Sequence, residues 1–248
     1  MSGRLLVRNY RGRDVPAVIG PMLAAFGAAS TIAIALGDSS GVPAAGWVAS
    51  GAALLVVAAG LVDDLAPAGP RGLRAHVREL AGGHVTTGIL KLVIVSAAAI
   101  VAVGSVPGRS GAVRLAGAVL VAGAANTVNG LDVRPGRALK FFLVGAVVGA
   151  LWFPWPLAPF APGVALGALV LLPWDAGERA MLGDSGANLL GFTLGLGLFV
   201  QLSDAWVFAA AGFAVLLNVV AETITFSRVI DAVPPLRWFD RLGRAGED

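Results

Sequence analysis

"AAGWVASGAALLVVAAGLVDD", residues 44–64, is an uncharged run of mostly Ala, Val, Leu and Gly that ends in two adjacent aspartates. A helix needs roughly 20 consecutive apolar residues to cross the hydrocarbon core of a bilayer. The run before Asp63 has about this length, so we expect a transmembrane helix here. The two acids would then lie where this helix leaves the membrane.

The composition of the whole chain agrees with a membrane environment. Hydrophobic residues make up 57% of the 248 residues and charged residues only 13%. Soluble domains carry about 25% charged residues, so this composition indicates that lipid is the solvent. Cys is absent, which excludes disulfides, thiolate nucleophiles and Cys-ligated metals.

Eight segments of the chain are apolar over a length near that of a membrane span. They predict an all-α fold, a polytopic transmembrane helix bundle of about eight transmembrane helices that forms a single integral membrane domain over residues 1–248. The first segment is too long for the apolar region of a signal peptide, so we expect a retained helix. The segments are 15–36, 44–62, 86–106, 112–128, 141–153, 157–174, 188–203 and 205–225.

Positive charge alternates between the two sides of the predicted bundle. Most of the 18 Lys and Arg residues fall in the loops of one side, whereas Arg109 and Arg114 lie on the other. Basic loops face the cytoplasm in membrane proteins. Both termini are therefore predicted to be cytoplasmic.

The carboxylates gather on the same predicted cytoplasmic side. Asp63 and Asp64 end the second segment, Asp132 follows the fourth, and Asp184 precedes the seventh. Each could be an ordinary charge at a helix end. Two adjacent acids repel each other unless a cation is present, however, and Mg²⁺ is typically held by one or two carboxylates together with substrate phosphates. A metal and pyrophosphate site on this face is the sharper hypothesis.

Three further features have two interpretations each. In "MLGDSGANLLGF", residues 181–192, Asp184 or Ser185 could cap the helix, or the helix N-terminus could attract a phosphate. Lys91, one turn into a helix, could extend toward the membrane surface or contact a phosphate. Asn126 could bind substrate or make an interhelical hydrogen bond.

Three motifs together resemble a known family. "GLVDD" (60–64), "NTVNGLD" (126–132) and "MLGDSGANLLGF" occur in the order, spacing and sidedness of the polyprenyl-phosphate N-acetylhexosamine-1-phosphate transferases, also called glycosyltransferase family 4. That family includes phospho-N-acetylmuramoyl-pentapeptide translocase and the enzymes that load N-acetylglucosamine-1-phosphate onto undecaprenyl phosphate. The resemblance covers roughly residues 10 to 195, and the ordered set of motifs is more specific than any one of them.

The resemblance implies a reaction at the cytoplasmic face of the bacterial plasma membrane, for cell-envelope glycan synthesis. A polyprenyl phosphate lipid attacks the β-phosphorus of a UDP-sugar, and UMP leaves. The resemblance implies Mg²⁺ as the cofactor, with Mn²⁺ as an alternative. The expected partners are the two substrates and the membrane, and no nucleic acid is expected. A homodimer is left open.

The resemblance also assigns roles to individual residues. Asp184 would be the main metal ligand, and Asp63 and Asp64 would hold the metal or orient the lipid phosphate. Asn129 and Asp132 match the family's donor-binding pattern. The other residues expected to contact substrate are Lys91, Asn126, Arg134 and Arg137.

The chain departs from the family pattern in three places. Pro135 stands where the family has a second Asp, so a carboxylate and an N–H are both missing. The family's late cytoplasmic loop is rich in His, but the only histidines here are His76 and His84, in another loop. The family has about ten helices, whereas about eight are predicted here. The donor sugar is therefore left open, and a non-catalytic relative that binds a polyprenyl lipid is an alternative; a transporter is disfavoured because the acids lie at one face and no internal repeat is visible.

Overall fold

The computed structural model describes residues 6–9, 11–66, 69, 73–150 and 157–244. Over these residues the chain is nearly all-α. The elements in chain order are β1 (Leu6–Arg8), β2 (Asp14–Pro16), α1 (Ile19–Gly37), α2 (Ala44–Leu65), α3 (Leu73–Ala81), α4 (Thr87–Ser105), α5 (Gly111–Leu131), α6 (Arg137–Ala150), α7 (Ala161–Ala176), α8 (Gly183–Gln201), α9 (Asp204–Ala221), α10 (Phe226–Ala232) and α11 (Pro234–Arg241).

Five of these helices are long and apolar enough to cross a membrane: α1, α2, α4, α5 and α9. The helix α7 is apolar but shorter. Each of the eight predicted segments contains a helix, which suits a multi-pass membrane protein. Eight crossings and cytoplasmic termini stay predictions. Residues 151–153 of the fifth segment, and Arg4 and Arg71 of the basic loops, lie outside the described residues.

A small hairpin near the amino terminus was not expected from the sequence. Strands β1 and β2 pair antiparallel, with Leu6 opposite Pro16. The Met181 N–H donates to the Pro16 carbonyl oxygen (3.0 Å), and Glu178 accepts a hydrogen bond from Asn9 (3.1 Å) and pairs with Arg13. The hairpin therefore holds the loop that leads into α8.

The centre of the bundle is α8, which packs against α1, α2, α4, α5 and α6. Glycines allow its backbone to approach its neighbours closely. A Cβ on Gly60 of α2 would come within 2.4 Å of the Ser185 Cα, and one on Gly191 of α8 within 2.4 Å of the Ala124 carbonyl oxygen. Small residues are typical of helix contacts in membranes, where burial of apolar surface gives little driving force. This packing brings the C-terminal ends of α2 and α5 and the N-terminal end of α4 to the start of α8.

Candidate functional site

The N-terminus of α8 is capped by a side chain from α2. The Asp64 carboxylate accepts hydrogen bonds from the Asp184 N–H (2.7 Å) and the Ser185 N–H (3.1 Å). Gly183 has a φ of +67°, and a Cβ there would lie 2.7 Å from Asp64 Oδ2, so only glycine fits this position. Neither Asp184 nor Ser185 caps its own helix, and the predicted local cap is wrong.

Two more carboxylates complete the capping of α8. Asp175, a buried residue in α7 that the sequence reading missed, accepts a hydrogen bond from the Leu182 N–H (3.1 Å). Asp132 accepts one from the Gly183 N–H. The first N–H groups of a helix lack partners within the helix, and here the protein's own acids provide them. These N–H groups are therefore not open to a phosphate in this structure.

Asp132 lies close to other carboxylates of the site. Burial raises the pKa of the Asp132 carboxyl well above its usual value, and the negative charges of Asp175, Asp184 and Asp64 raise it further. The hydrogen bond from Gly183 acts in the opposite direction. Asp132 thus sits among three other acids of the site.

Lys91 joins two of the predicted metal ligands. Its Nζ donates to Asp63 Oδ2 (2.6 Å) and to Asp184 Oδ2. The three side chains come from α4, α2 and α8, and those of Lys91 and Asp63 are only 14% and 19% exposed. Because both carboxylates contact one nitrogen, their bonded oxygens are at most about 6 Å apart, twice the length of a hydrogen bond. Asp63 and Asp184, two of the three acids expected to lie close together, both contact Lys91, and this lysine–carboxylate contact was not foreseen.

The donor chemistry of this cluster suits a hard divalent cation only in part. Among the described residues, no group of three or more His, Cys, Asp or Glu side chains is arranged to hold a metal ion. Asp63 and Asp184 offer two carboxylates, and Mg²⁺ commonly takes one or two from the protein and completes its shell with water and phosphates. The ammonium of Lys91 lies between the carboxylates that such an ion would use. Asp64 differs, because both its oxygens are engaged by α8.

A polar cavity of about 310 Å³ opens beside Lys91. We call it the amide cavity, because four asparagines line it: Asn126, Asn129, Asn188 and Asn218. Asn126 donates to Asn218 of α9, which confirms the predicted interhelical hydrogen bond. The buried Asn129 Oδ1 has no hydrogen-bond partner among the described residues, so this residue has an acceptor left for a hydrogen bond from a ligand. The sequence signal for Asn218, which we missed, is a lone polar residue in an apolar helix.

A second cavity of about 310 Å³ lies under the amino-terminal hairpin. This hairpin cavity has Asn9, Asp132, Arg134, Pro135 and Asp175 in its wall, and none of the described residues lines both it and the amide cavity. The residues expected to contact substrate are thus divided. Lys91, Asn126 and Asn129 line the amide cavity, whereas Asp132 and Arg134 line the hairpin cavity.

Arg137 lines neither cavity, although a substrate contact was expected for it. It is 5% exposed and donates through Nε and Nη2 to the two carboxylate oxygens of Asp240 in α11 (2.7 and 2.9 Å). Its Nη1 donates to Ser227 Oγ (2.8 Å). A buried, bidentate arrangement of this kind is a structural contact between α6 and α11.

His76 lies in α3 and contacts the start of α4. Its Nδ1 lies 2.8 Å from Thr86 Oγ1, the residue that caps α4, and its ring packs against Gly88. It also lines the amide cavity. His76 therefore helps to position the start of the helix that carries Lys91.

Comparison with known proteins adds no relative. No protein-family model, curated protein or solved structure matches the chain.

Proposed function

We propose that the chain is an integral membrane phosphoglycosyltransferase. It would move a sugar-1-phosphate from a UDP-sugar to a polyprenyl phosphate at the cytoplasmic face of the bacterial plasma membrane. The observation that carries the proposal is the contact of Lys91 with both Asp63 and Asp184, where the ends of three helices meet. Asp63 and Asp184 belong to two of the three motifs that resemble the transferase family, and Asn129 of the third lines the same cavity as Lys91.

The proposed chemistry matches what such a site can supply. An oxygen of the lipid phosphate forms a bond to the β-phosphorus while the bond to the bridging oxygen breaks, and UMP leaves with that oxygen. Phosphoryl transfer depends on positioning and charge neutralisation more than on covalent help from the protein. A phosphate monoester has a second pKa near 6, so the lipid phosphate is largely dianionic at pH 7 and needs no strong base.

We assign the roles as follows. Asp184 and Asp63 would hold Mg²⁺ or Mn²⁺, which when bound neutralises charge on the diphosphate. Lys91 would neutralise a substrate phosphate, and Asp64 acts as a positioning residue because it fixes the N-terminus of α8. Asn129 would accept a hydrogen bond from the donor.

The two cavities offer separate places for the two parts of the donor. We assign the sugar of the donor to the amide cavity, since amide groups both donate hydrogen bonds to hydroxyls and accept them from hydroxyls. Asp132 and Arg134 of the hairpin cavity would contact the nucleotide part of the donor. Arg137 is left out of the substrate site because Asp240 and Ser227 already hold its guanidinium.

A second candidate is a non-catalytic relative that binds a polyprenyl lipid. It is favoured by one observation: the charge of Lys91 is already neutralised by two carboxylates. A protein that only presents the lipid needs no metal ion, so Lys91 could remain bound to Asp63 and Asp184.

Release of UMP tests the proposal. Purified protein is incubated with polyprenyl phosphate, Mg²⁺ and a panel of UDP-sugars, and wild type is compared with Asp184→Asn and Asp63→Asn. We expect release from at least one donor and a loss of about a hundredfold in each variant, the scale of removing one electrostatic stabiliser of a transition state. Asp231→Asn, an exposed position on α10, is the control. No release from any donor, with Asp184→Asn equal to wild type in lipid binding, would favour the lipid-binding relative.

A further inference from the structure

The short helix α11 has two faces of different character. Its inner face carries the buried Asp240, which is held by Arg137. Its outer face carries Arg237, Trp238 and Arg241, all exposed, and Trp238 is 68% exposed. A large aromatic residue between two arginines on an exposed face is typical of helices that lie in a membrane interface.

The position of α11 along the bundle agrees with that interface. Lys140, in the first turn of α6, donates through Nζ to the Phe239 (3.1 Å) and Leu242 (3.0 Å) carbonyl oxygens at the end of α11. Directly after Lys140, α6 exposes apolar side chains, including Phe141 and Val144. The end of α11 therefore lies level with the turn at which α6 becomes apolar on its surface.

Among the described residues of α10 and α11, the exposed charge is mostly positive. Arg228 of α10 is exposed together with Arg237 and Arg241, whereas the exposed acid of these two helices is Asp231. Basic residues close to a membrane surface are attracted by anionic lipids. Leu242, 52% exposed just after α11, extends the apolar part of the face beside Trp238.

From these observations we propose that the outer face of α11 docks on the anionic headgroups of the membrane that holds the bundle. Arg237 and Arg241 contact lipid phosphates, and Trp238 and Leu242 enter the headgroup layer. Since Asp240 on the inner face holds Arg137, lipid docking fixes α11 against the start of α6. None of the residues assigned to phosphoryl transfer lies on this outer face.

The absence of Cys from the chain makes the proposal directly testable. Two variants, Leu242→Cys and Trp238→Cys, each carry an environment-sensitive fluorophore on the single Cys. The full-length protein is placed in nanodiscs of phosphatidylcholine alone or in nanodiscs that also contain a quarter of phosphatidylglycerol. We expect a blue-shifted emission and quenching by lipid-attached nitroxide in the anionic discs. The double variant Arg237→Gln, Arg241→Gln should lower the ratio of membrane-docked to undocked α11 roughly thirtyfold. High salt should lower this ratio as well. A label at Asp231→Cys is the matched control, expected to stay in water.

Three results would overturn the proposal. The label at Leu242 could stay in water in both kinds of disc, its quenching could be independent of phosphatidylglycerol and of the two arginines, or energy transfer between labelled copies could show that a second chain covers α11. Thermal unfolding of each labelled protein, compared with wild type, establishes that the fold is intact. Two separate label positions ensure that loss of Trp238 itself does not decide the outcome.

Discussion

At the scale of single residues, Lys91 is the most informative side chain of the site. Its ammonium contacts Asp63 and Asp184, so any divalent cation that uses these carboxylates has to displace it. The sequence predicted that the three residues share a face, because their positions at helix ends can be read from apolar segments. It could not predict the hydrogen bonds between them, which depend on the packing of α2, α4 and α8.

We predict that Lys91→Met raises the affinity of the protein for Mn²⁺. Removal of the ammonium leaves two nearby carboxylates without their counter-ion, and the gain should be on the order of tenfold, about 1.4 kcal/mol. Calorimetric titration of Mn²⁺ into the detergent-solubilised protein measures it. Adding Asp63→Asn to Lys91→Met should remove the gain. Unchanged or weaker binding by Lys91→Met would show that this lysine does not compete with a metal.

A second residue-scale prediction concerns Asp240 and pH. Burial disfavours its charged form, but hydrogen bonds and positive charge from Arg137 and Arg244 outweigh burial and lower the pKa of the Asp240 carboxyl. Its contribution to stability is therefore present above the unfolded-state pKa of about 3.9 and is lost as the pH falls through the lower folded-state pKa. Asp240→Asn should cost about 3 kcal/mol at pH 7, as expected when one partner of a buried ion pair is removed.

Thermal unfolding in detergent as a function of pH measures this effect. The difference between wild type and Asp240→Asn should narrow below about pH 4. The exposed Asp231→Asn is the control and should follow wild type throughout. A constant difference between wild type and Asp240→Asn down to strong acid would contradict the proposed ion pair.

At the scale of elements, the start of α8 shows where sequence reasoning ends. A local pattern predicts a cap from Asp184 or Ser185, because helix caps are usually adjacent in sequence. Here the caps come from Asp64 in α2, Asp132 after α5 and Asp175 in α7. Contacts over such sequence distances follow from tertiary packing, and no motif within a few residues encodes them.

Two glycines of α2 give a matched test of that packing. A Cβ on Gly60 would come within 2.4 Å of the Ser185 Cα, whereas one on Gly51 meets nothing within 4 Å. Gly60→Ala should push α8 away and destabilise the protein by about 1–3 kcal/mol, as overpacking does. Gly51→Ala should be neutral or stabilising by up to about 1 kcal/mol, because Ala favours helix. Equal melting temperatures for the two variants in detergent would contradict the close α2–α8 contact.

At the scale of the whole molecule, the apolar segments were the most predictable feature. Hydropathy is a local property, and each predicted segment contains a helix. The helix α8 contains several glycines and polar residues, and most of these are buried against neighbouring helices. Its sequence is therefore less uniformly apolar than that of the other long helices. The hairpin of β1 and β2 was missed, since two three-residue strands leave almost no periodic pattern.

The orientation of the bundle can be tested with the same Cys-free background. Ser40 is exposed between α1 and α2, and Asp231 is exposed on α10. If basic loops face the cytoplasm, a membrane-impermeant maleimide should label Ser40→Cys in intact cells and should label Asp231→Cys only after permeabilisation. The reverse pattern would place the candidate site on the outer face, away from UDP-sugars.

The fate of the donor's β-phosphorus distinguishes transfer of a sugar-1-phosphate from other reactions most directly. UDP-sugars labelled with ³²P at the β-phosphate are incubated with polyprenyl phosphate, Mg²⁺ and the protein, and the lipid fraction is counted. Transfer of a sugar-1-phosphate predicts that label enters the lipid fraction with wild type and Asp231→Asn but not with Asp184→Asn or Lys91→Met. If the label stays in UDP while the sugar enters the lipid, or stays in the intact donor with every UDP-sugar tried, the account of Lys91, Asp63 and Asp184 as a phosphoryl-transfer site is contradicted.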